Sequence, residues 1–215
     1  MNDTFRHKGL RKILVDEIRS KGISDINVLN AISHVPRHLF MDNAFVQFAY
    51  QDKAFPIGCD QTISQPYTVA FQTQLLRVEN HDKVLEVGTG SGYQSAVLKH
   101  LKADVYTIER QKDLFQKTQS FLPSIGYKCR FFYGDGYVGL SQFAPFDKIL
   151  ITCGAPEIPS LLLSQLKHGG RMVAPIGSGK VQIMKMIDKD MNGEVTISDH
   201  GNFSFVPMLS DKSSS

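Results

Sequence analysis

Apolar residues recur at helical spacing from the start of the chain: in residues 4 to 21, Leu10, Ile13, Leu14 and Ile18 share one face. The stretch Asp25 to Leu39 repeats the pattern with Ile26, Leu29, Ile32 and Val35, and Pro36 closes it. Two amphipathic helices are therefore expected to open the chain. The next segment, YQDKAFPIGCDQTISQPY (50 to 67), is polar, holds two prolines and a glycine, and has no sustained period, so it reads as a loop that could carry binding groups. Phe71, Leu75 and Leu76 then form one buried helical face in PYTVAFQTQLL.

From Asp82 the pattern changes to short apolar runs alternating with helical segments: KVLEV, YQSAVLKHL, DVYTIE, QKDLFQKTQSFLPSIG, CRFFYGD, FDKILIT, IPSLLLSQLKHGG and RMVAPIG. Such alternation predicts an α/β fold, a doubly wound, mostly parallel sheet with helices on both faces. The last third departs from it. VQIMKMIDKD and VTISD, joined through Asn192-Gly193, read as an antiparallel hairpin, FSFVPML as a final strand, and DKSSS as a frayed tail.

The candidate chemistry lies in LEVGTGSGYQSAVL (85 to 98), where a strand gives way to glycines at 88, 90 and 92 before a helix. Glycine at these places lets the backbone turn sharply and approach a ligand closely. A dinucleotide fingerprint would need a further glycine where this chain has Tyr93. Glu86, just before the first glycine, repels phosphate and attracts an ammonium or sulfonium, which favours S-adenosyl-L-methionine over a nicotinamide cofactor. Glu109, closing the strand VYTIE, can accept from both hydroxyls of a ribose; an ion pair with Arg110 is the structural alternative. Asp135, in Gly134-Asp135-Gly136, can accept from an adenine amino group or simply make a turn. Three acids at the ends of three successive strands are expected to converge on one crevice, the arrangement of a Rossmann-like class I methyltransferase.

Composition narrows the alternatives. Lys+Arg 24 against Asp+Glu 21 leaves a net charge of +3 with no basic run, which argues against nucleic acid. Cys59, Cys129 and Cys153 are odd in number and widely spaced, as expected of reduced thiols in the cytoplasm. The start MNDTFRHKGL lacks the apolar stretch of a signal peptide, and no run is long enough to span a bilayer. His34 and His38 flank Pro36 without a third ligand, so no metal site is expected. No heptad pattern calls for assembly, which leaves a monomer.

The chain resembles the protein-L-isoaspartate O-methyltransferase family along most of its length: VPRHLF (35 to 40), AYQDKAFPIG (49 to 58), QTISQPY (61 to 67), VLEVGTGSGYQSAVL (84 to 98), GDG (134 to 136), APFDKILIT (144 to 152) and GGRMVAPIG (169 to 177). QTISQPY is the specific piece, since EVGTGSGY alone marks class I methyltransferases in general. The resemblance implies that Ser64 is the active-site serine, with Thr62 beside it, and that an extended peptide lies near Ile63, Gln65, Pro66, Val206 and Pro207. It implies a donor site of Glu86, Gly88, Thr89, Gly90, Ser91, Gly92, Glu109, Arg110, Gly134, Asp135, Gly136 and Thr152, and isoaspartyl-containing proteins and peptides as substrates. From the residues alone, Ser64 could equally cap the helix that follows it. Gly58-Cys59-Asp60, Thr68 and Cys153-Gly154 depart from the family's usual pattern. The expected organisation is a single methyltransferase domain: a helical cap and acceptor loop (1 to 80), the donor-binding core (81 to 178), the hairpin and last strand (179 to 209) and the tail (210 to 215). A methyltransferase of a small molecule or other acceptor and a non-catalytic binder of the donor remain as rivals, with a nicotinamide dehydrogenase as the third choice.

Overall fold

The computed structural model describes residues 3–213. Helix α1 (Phe5–Ser20) opens with a reciprocal cap: the Thr4 hydroxyl accepts from the His7 amide and the His7 ring from the Thr4 amide. Helix α2 (Ile26–His34), capped by the Asp25 carboxylate, is shorter than the periodic stretch. Val35, next to Pro36, is extended (φ −74°, ψ 115°), and Arg37–Phe40 turns separately as a 3-10 helix.

The segment expected as loop holds a hairpin, β1 (Phe55–Gly58) and β2 (Gln61–Ile63). Its turn residues Cys59 and Asp60 both adopt left-handed backbone (φ 51° and 55°). Such turns usually declare themselves by Asn-Gly or Asp-Gly, and here that signal is missing. Helix α3 (Pro66–Leu76) starts on Pro66 with Gln65 in the cap position, so Ser64 is not its cap.

One sheet of seven strands follows, in the order β5-β4-β3-β6-β7-β8-β9. Strands β3 (Lys83–Val87), β4 (Asp104–Glu109), β5 (Arg130–Tyr133) and β6 (Phe146–Ile151) run parallel, as does β7 (Leu166–Ile176) beside β6. Helix α4 (Tyr93–His100) links β3 to β4, and α5 (Lys112–Ser124) links β4 to β5. Helix α6 (Ser160–Gln165) is brief, because from Leu166 the segment already belongs to β7. The antiparallel β8 (Gln182–Lys189) and β9 (Val195–Phe203) form the hairpin read from Asn192-Gly193.

Alternate residues of β3 separate the two faces. Val84 packs with Leu76 of α3 and Leu98 of α4, whereas Leu85 and Val87 pack with Leu140 and with Leu162 of α6. The chain reverses its winding between β3 and β6, which opens a crevice at their carboxyl ends.

FSFVPML is not a strand beyond Phe203. Residues 204 to 210 run as an extended strap, joined to the sheet end by Gly154 N donating to Val206 O (2.8 Å) and Met208 N to Gly154 O (2.7 Å). The tail is held too, with Ser213 N donating to Arg110 O at 2.9 Å and Tyr133 Oη to Ser213 O at 2.7 Å; residues 214 and 215 lie outside the described residues. Among the described residues, no helix is long and apolar enough to cross a membrane.

Candidate active site

Beyond β3 the backbone enters left-handed geometry at Gly88 (φ 96°) and again at Gly92 (φ 83°). A Cβ on Gly88 would fall 2.5 Å from Thr152 Oγ1, and one on Gly92 would fall 2.7 Å from Thr118 Cγ2, so space as well as conformation demands glycine. The end of β4, helix α5 and the residue after β6 fix the loop between them. Gly90 N donates to Glu109 Oε2 (2.9 Å), Thr118 Oγ1 to Gly90 O (2.7 Å) and Thr152 Oγ1 to Gly88 O (2.7 Å).

Above this loop opens a cleft of about 880 Å³, its mouth included, within the size range of small-molecule sites. Gly88, Thr89, Gly90, Ser91, Glu109, Arg110, Gly136 and Thr152 line it from the sheet side, and Thr62, Ile63, Ser64, Val206 and Pro207 from the other. Glu109 is 5% exposed, and its second oxygen accepts from Gln111 N (2.8 Å). Each carboxylate oxygen keeps a free lone pair for a ligand. No ion pair joins it to Arg110, whose Nε donates instead to Asp211 O (2.9 Å).

The other two acids do not reach the cleft. Glu86 is fully buried (0% exposed) under α4, where Ser95 Oγ donates to it; its Oε1 has no partner, and burial pushes its pKa up to about 7. Asp135 accepts from Tyr137 N (2.8 Å) and Asp211 N (2.9 Å), holding the strap rather than facing the cleft. Three acids follow three adjacent strands, but strand alternation and the turn after β5 aim only Glu109 inward. Gly92 and Gly134 support the wall from behind: their Cβ positions meet Leu122 of α5 and Ile108 of β4.

A second, open groove of about 1210 Å³ adjoins the first and shares Thr62, Ser64, Thr152 and Val206 with it. Gln65 lines this groove with Tyr67 and Phe203, while Pro66 is buried at the start of α3. Arg37, 0% exposed, sits beneath and donates to Ala49 O (2.7 Å), Lys53 O (2.9 Å) and Ser64 O (3.1 Å). Desolvation lowers its pKa to about 10, yet leaves it charged at neutral pH. Asp52 clamps the same loop from outside by accepting from Gln65 Nε2 (2.9 Å) and Tyr67 N (2.7 Å). Ser64 is thus held by its backbone, and among the described residues its hydroxyl has no protein partner.

The cleft also takes in Val69, Gln72, Tyr93, Gln94, Ile108, Cys153, Met208 and Leu209, which sequence reasoning missed. A glutamine in the buried first turn of α4, between Tyr93 and Ser95, was the one available signal for Gln94. Burial pushes the Cys153 thiol up to about 12, so it is a neutral wall group at physiological pH. Away from the cleft, Asp3, His7 and His38 bring potential ligand atoms within 4.8 Å of one another. The Asp3 carboxylate is taken by both Arg11 Nη atoms (3.1 and 2.9 Å) and the two imidazoles stack at 3.9 Å, an arrangement that disfavours a divalent cation.

The family model described as protein-L-isoaspartate(D-aspartate) O-methyltransferase matches residues 9–213 of the chain. The chain belongs to that family. A protein-L-isoaspartate O-methyltransferase from Christiangramia forsetii is 56% identical over 213 residues, 99% of this chain and 100% of that protein. One from Salinibacter ruber is 44% identical, over 98% of this chain and 96% of that protein. A solved protein-L-isoaspartate O-methyltransferase structure superposes with a TM-score of 0.83 at 26% identity, covering 92% of this chain and 65% of that one. A beta-aspartate methyltransferase from Plasmodium falciparum, solved in complex with S-adenosyl-L-homocysteine, shares the fold with a TM-score of 0.78 at 23% identity, covering 93% of this chain and 98% of that one. An isoaspartyl methyltransferase must bring a methyl donor and a protein-borne carboxylate together. Two concavities that meet at Ser64 and Thr152 are a geometry suited to that task.

Proposed function

We propose that the chain transfers the methyl group of S-adenosyl-L-methionine to the free carboxylate of L-isoaspartyl residues in damaged proteins and peptides. The observation that carries this reading is the sharing of Thr62, Ser64, Thr152 and Val206 between the enclosed cleft and the open groove. The cleft fits a donor of this kind. Gly88 leaves room where any Cβ would collide with Thr152, Glu109 offers two acceptor oxygens to a ribose diol, and Ile108, Val87 and Met208 supply apolar wall. Bound there, the donor supplies an electrophilic methyl group on a sulfonium.

The chain's own residues then have to orient, not activate. An isoaspartyl carboxylate is already anionic near neutral pH, so no general base is required. Ser64, its carbonyl pinned by Arg37, is placed to donate its hydroxyl to one carboxylate oxygen and leave the other free to attack. Thr62, on β2 two residues before Ser64, offers a second hydroxyl. The strap residues Val206 and Pro207 close the opposite side and exclude water. In the groove, Gln65 and the Tyr67–Phe203 ring stack (6.4 Å between centroids) provide a surface for an extended peptide. The protein is read as a monomer without nucleic-acid or membrane partners, and its three free cysteines suit a reducing cytoplasm.

The test is methyl incorporation from labelled donor into matched peptides that differ only in an isoaspartyl or aspartyl linkage. Label in the isoaspartyl peptide alone is the expected result, and equal labelling, or none, overturns the reading. In the same assay Ser64→Ala is expected to lower kcat about ten- to hundred-fold, the range for losing a hydrogen bond to a charged group, while donor affinity stays unchanged.

A further inference from the structure

Ser64 lies between β2 and α3, and β1 and β2 form a two-stranded sheet of their own. Among the described residues no ladder ties that small sheet to the seven-stranded one, so side chains have to set where the serine stands over the cleft. Two buried charges of opposite sign do this. Arg37 donates to Ser64 O and also to Ala49 O and Lys53 O, the carbonyls that bracket Asp52 in the chain. The Asp52 side chain is 2% exposed, and its oxygens accept from Tyr67 N (2.7 Å), Gln65 Nε2 (2.9 Å) and Lys21 Nζ (2.6 Å).

The bond to Tyr67 is a helix cap supplied from a distance. Pro66 opens α3 without an amide hydrogen, and Gln65 in the cap position makes no side-chain bond to the helix, which leaves Tyr67 N as the first amide in need of an acceptor. Asp52 provides it and places negative charge at the positive end of the helix dipole. The bond to Gln65 fixes the residue next to Ser64 by its side chain, and Lys21, at the end of α1, balances the buried charge. Asp52 itself lines neither the cleft nor the groove. We infer that Asp52 is a positioning residue for the methyl transfer: it fixes the start of α3 so that the Ser64 hydroxyl meets the acceptor carboxylate. This inference rests on the role of Ser64 given under Proposed function. Such a clamp matters because a displacement of about 1 Å at a group that orients a reactant can cost about a hundredfold in rate.

Turnover of the isoaspartyl peptide with labelled donor, and calorimetric titration with S-adenosyl-L-homocysteine, test it. Asp52→Ala is expected to lower kcat about ten- to hundred-fold and to leave the affinity for S-adenosyl-L-homocysteine within about twofold, because the glycine loop has its own supports in Glu109, Thr118 and Thr152. Added to Ser64→Ala, the same substitution is expected to lower kcat by less than about twofold further, since a residue that works through the serine hydroxyl then has nothing left to place. Equal fold losses in the two backgrounds overturn the inference, because a general structural role persists without the hydroxyl. An unchanged kcat in Asp52→Ala overturns it too, as does a loss of donor affinity that matches the loss of kcat. Wild-type protein that fails to label the isoaspartyl peptide overturns the proposed reaction itself. If the wild type labels the peptide and Ser64→Ala is fully active, the serine's role falls and the inference with it. Should Asp52→Ala fail to fold, Asp52→Asn decides. It keeps an acceptor for Tyr67 N and loses the charge, so kcat is expected to fall about three- to tenfold in the wild-type background and by less than about twofold in Ser64→Ala; equal losses overturn the inference.

Discussion

Glu86 shows how far a single residue's role can be read from its neighbours in sequence. An acid beside a glycine loop suggests a cation-binding group, and the residue type gives no hint that strand alternation turns it away from the cleft and under α4. Glu109 was legible because a strand-terminal carboxylate next to a switch point has few other places to face, whereas Asp135 depended on the course of a distant tail. The buried position of Glu86 has a measurable consequence. Its pKa rises to about 7 from 4.5, chiefly by desolvation, so between those values the folded state binds more protons than the unfolded one. Stability contributed by this group is therefore complete below pH 4.5 and is lost as pH rises through 7. Glu86→Gln has no such dependence. The stability of the variant minus that of the wild type is expected to grow by on the order of 3 kcal/mol between pH 4.5 and 7 and then level off. Urea unfolding of both proteins at pH 5 and pH 8 checks this, and parallel pH profiles would contradict it.

At the scale of elements, the β/α alternation from β3 to β7 was plain in the sequence, because parallel strands buried on both faces read as short apolar runs. The β1–β2 hairpin was not, since Cys59 is an unusual residue for a left-handed turn position and no glycine follows Asp60 to complete the familiar turn pair. The strap reads as a strand in the sequence because extended backbone and alternating apolar residues look alike whether a full ladder or, as here, the single bridge from Pro207 to Gly154 joins them to the sheet. The glycines at the β3–α4 junction look equivalent in sequence and are not so in the structure. A Cβ on Gly92 would meet Thr118 Cγ2 at 2.7 Å and Leu122 Cδ1 at 2.8 Å, inside the α4–α5 packing. Gly92→Ala is thus expected to cost about 2 to 4 kcal/mol of stability through strain and overpacking. A Cβ on Gly88 would instead meet Thr152 Oγ1 at the floor of the cleft, so Gly88→Ala is expected to weaken S-adenosyl-L-homocysteine at least about tenfold, with a smaller loss of stability. Thermal unfolding and ligand titration of the two variants test the contrast; equal effects on both readouts would show that the loop acts as one rigid piece.

On the scale of the whole molecule, the last residues turn an open α/β sheet into a closed site. After β9 the chain crosses back over the carboxyl ends of the strands, bonding to Gly154 beyond β6, placing Met208 against Gly136, and reaching Asp135, Arg110 and Tyr133 at the far edge. Val206 to Leu209 are cleft wall, and Met208 is 7% exposed within the core. This crossing joins the two ends of the sheet, which explains why local sequence pattern could not reveal it: each partner lies far away along the chain. Two truncations separate the anchor from the wall. A chain ending at Leu209 keeps the wall but loses the contacts to Asp135, Arg110 and Tyr133, and a chain ending at Phe203 loses both. The first is expected to keep most of the stability and bind S-adenosyl-L-homocysteine a few-fold more weakly, because exposed polar contacts contribute little. The second removes a buried methionine and one side of the cleft, so it is expected to lose about 2 to 5 kcal/mol of stability and its ligand binding. Thermal unfolding with and without S-adenosyl-L-homocysteine reads both quantities at once, since a ligand that binds only the folded state raises Tm in proportion to its affinity. If the shorter chain kept a ligand-induced rise in Tm equal to that of the full-length protein, the strap would be a structural brace lying outside the donor site.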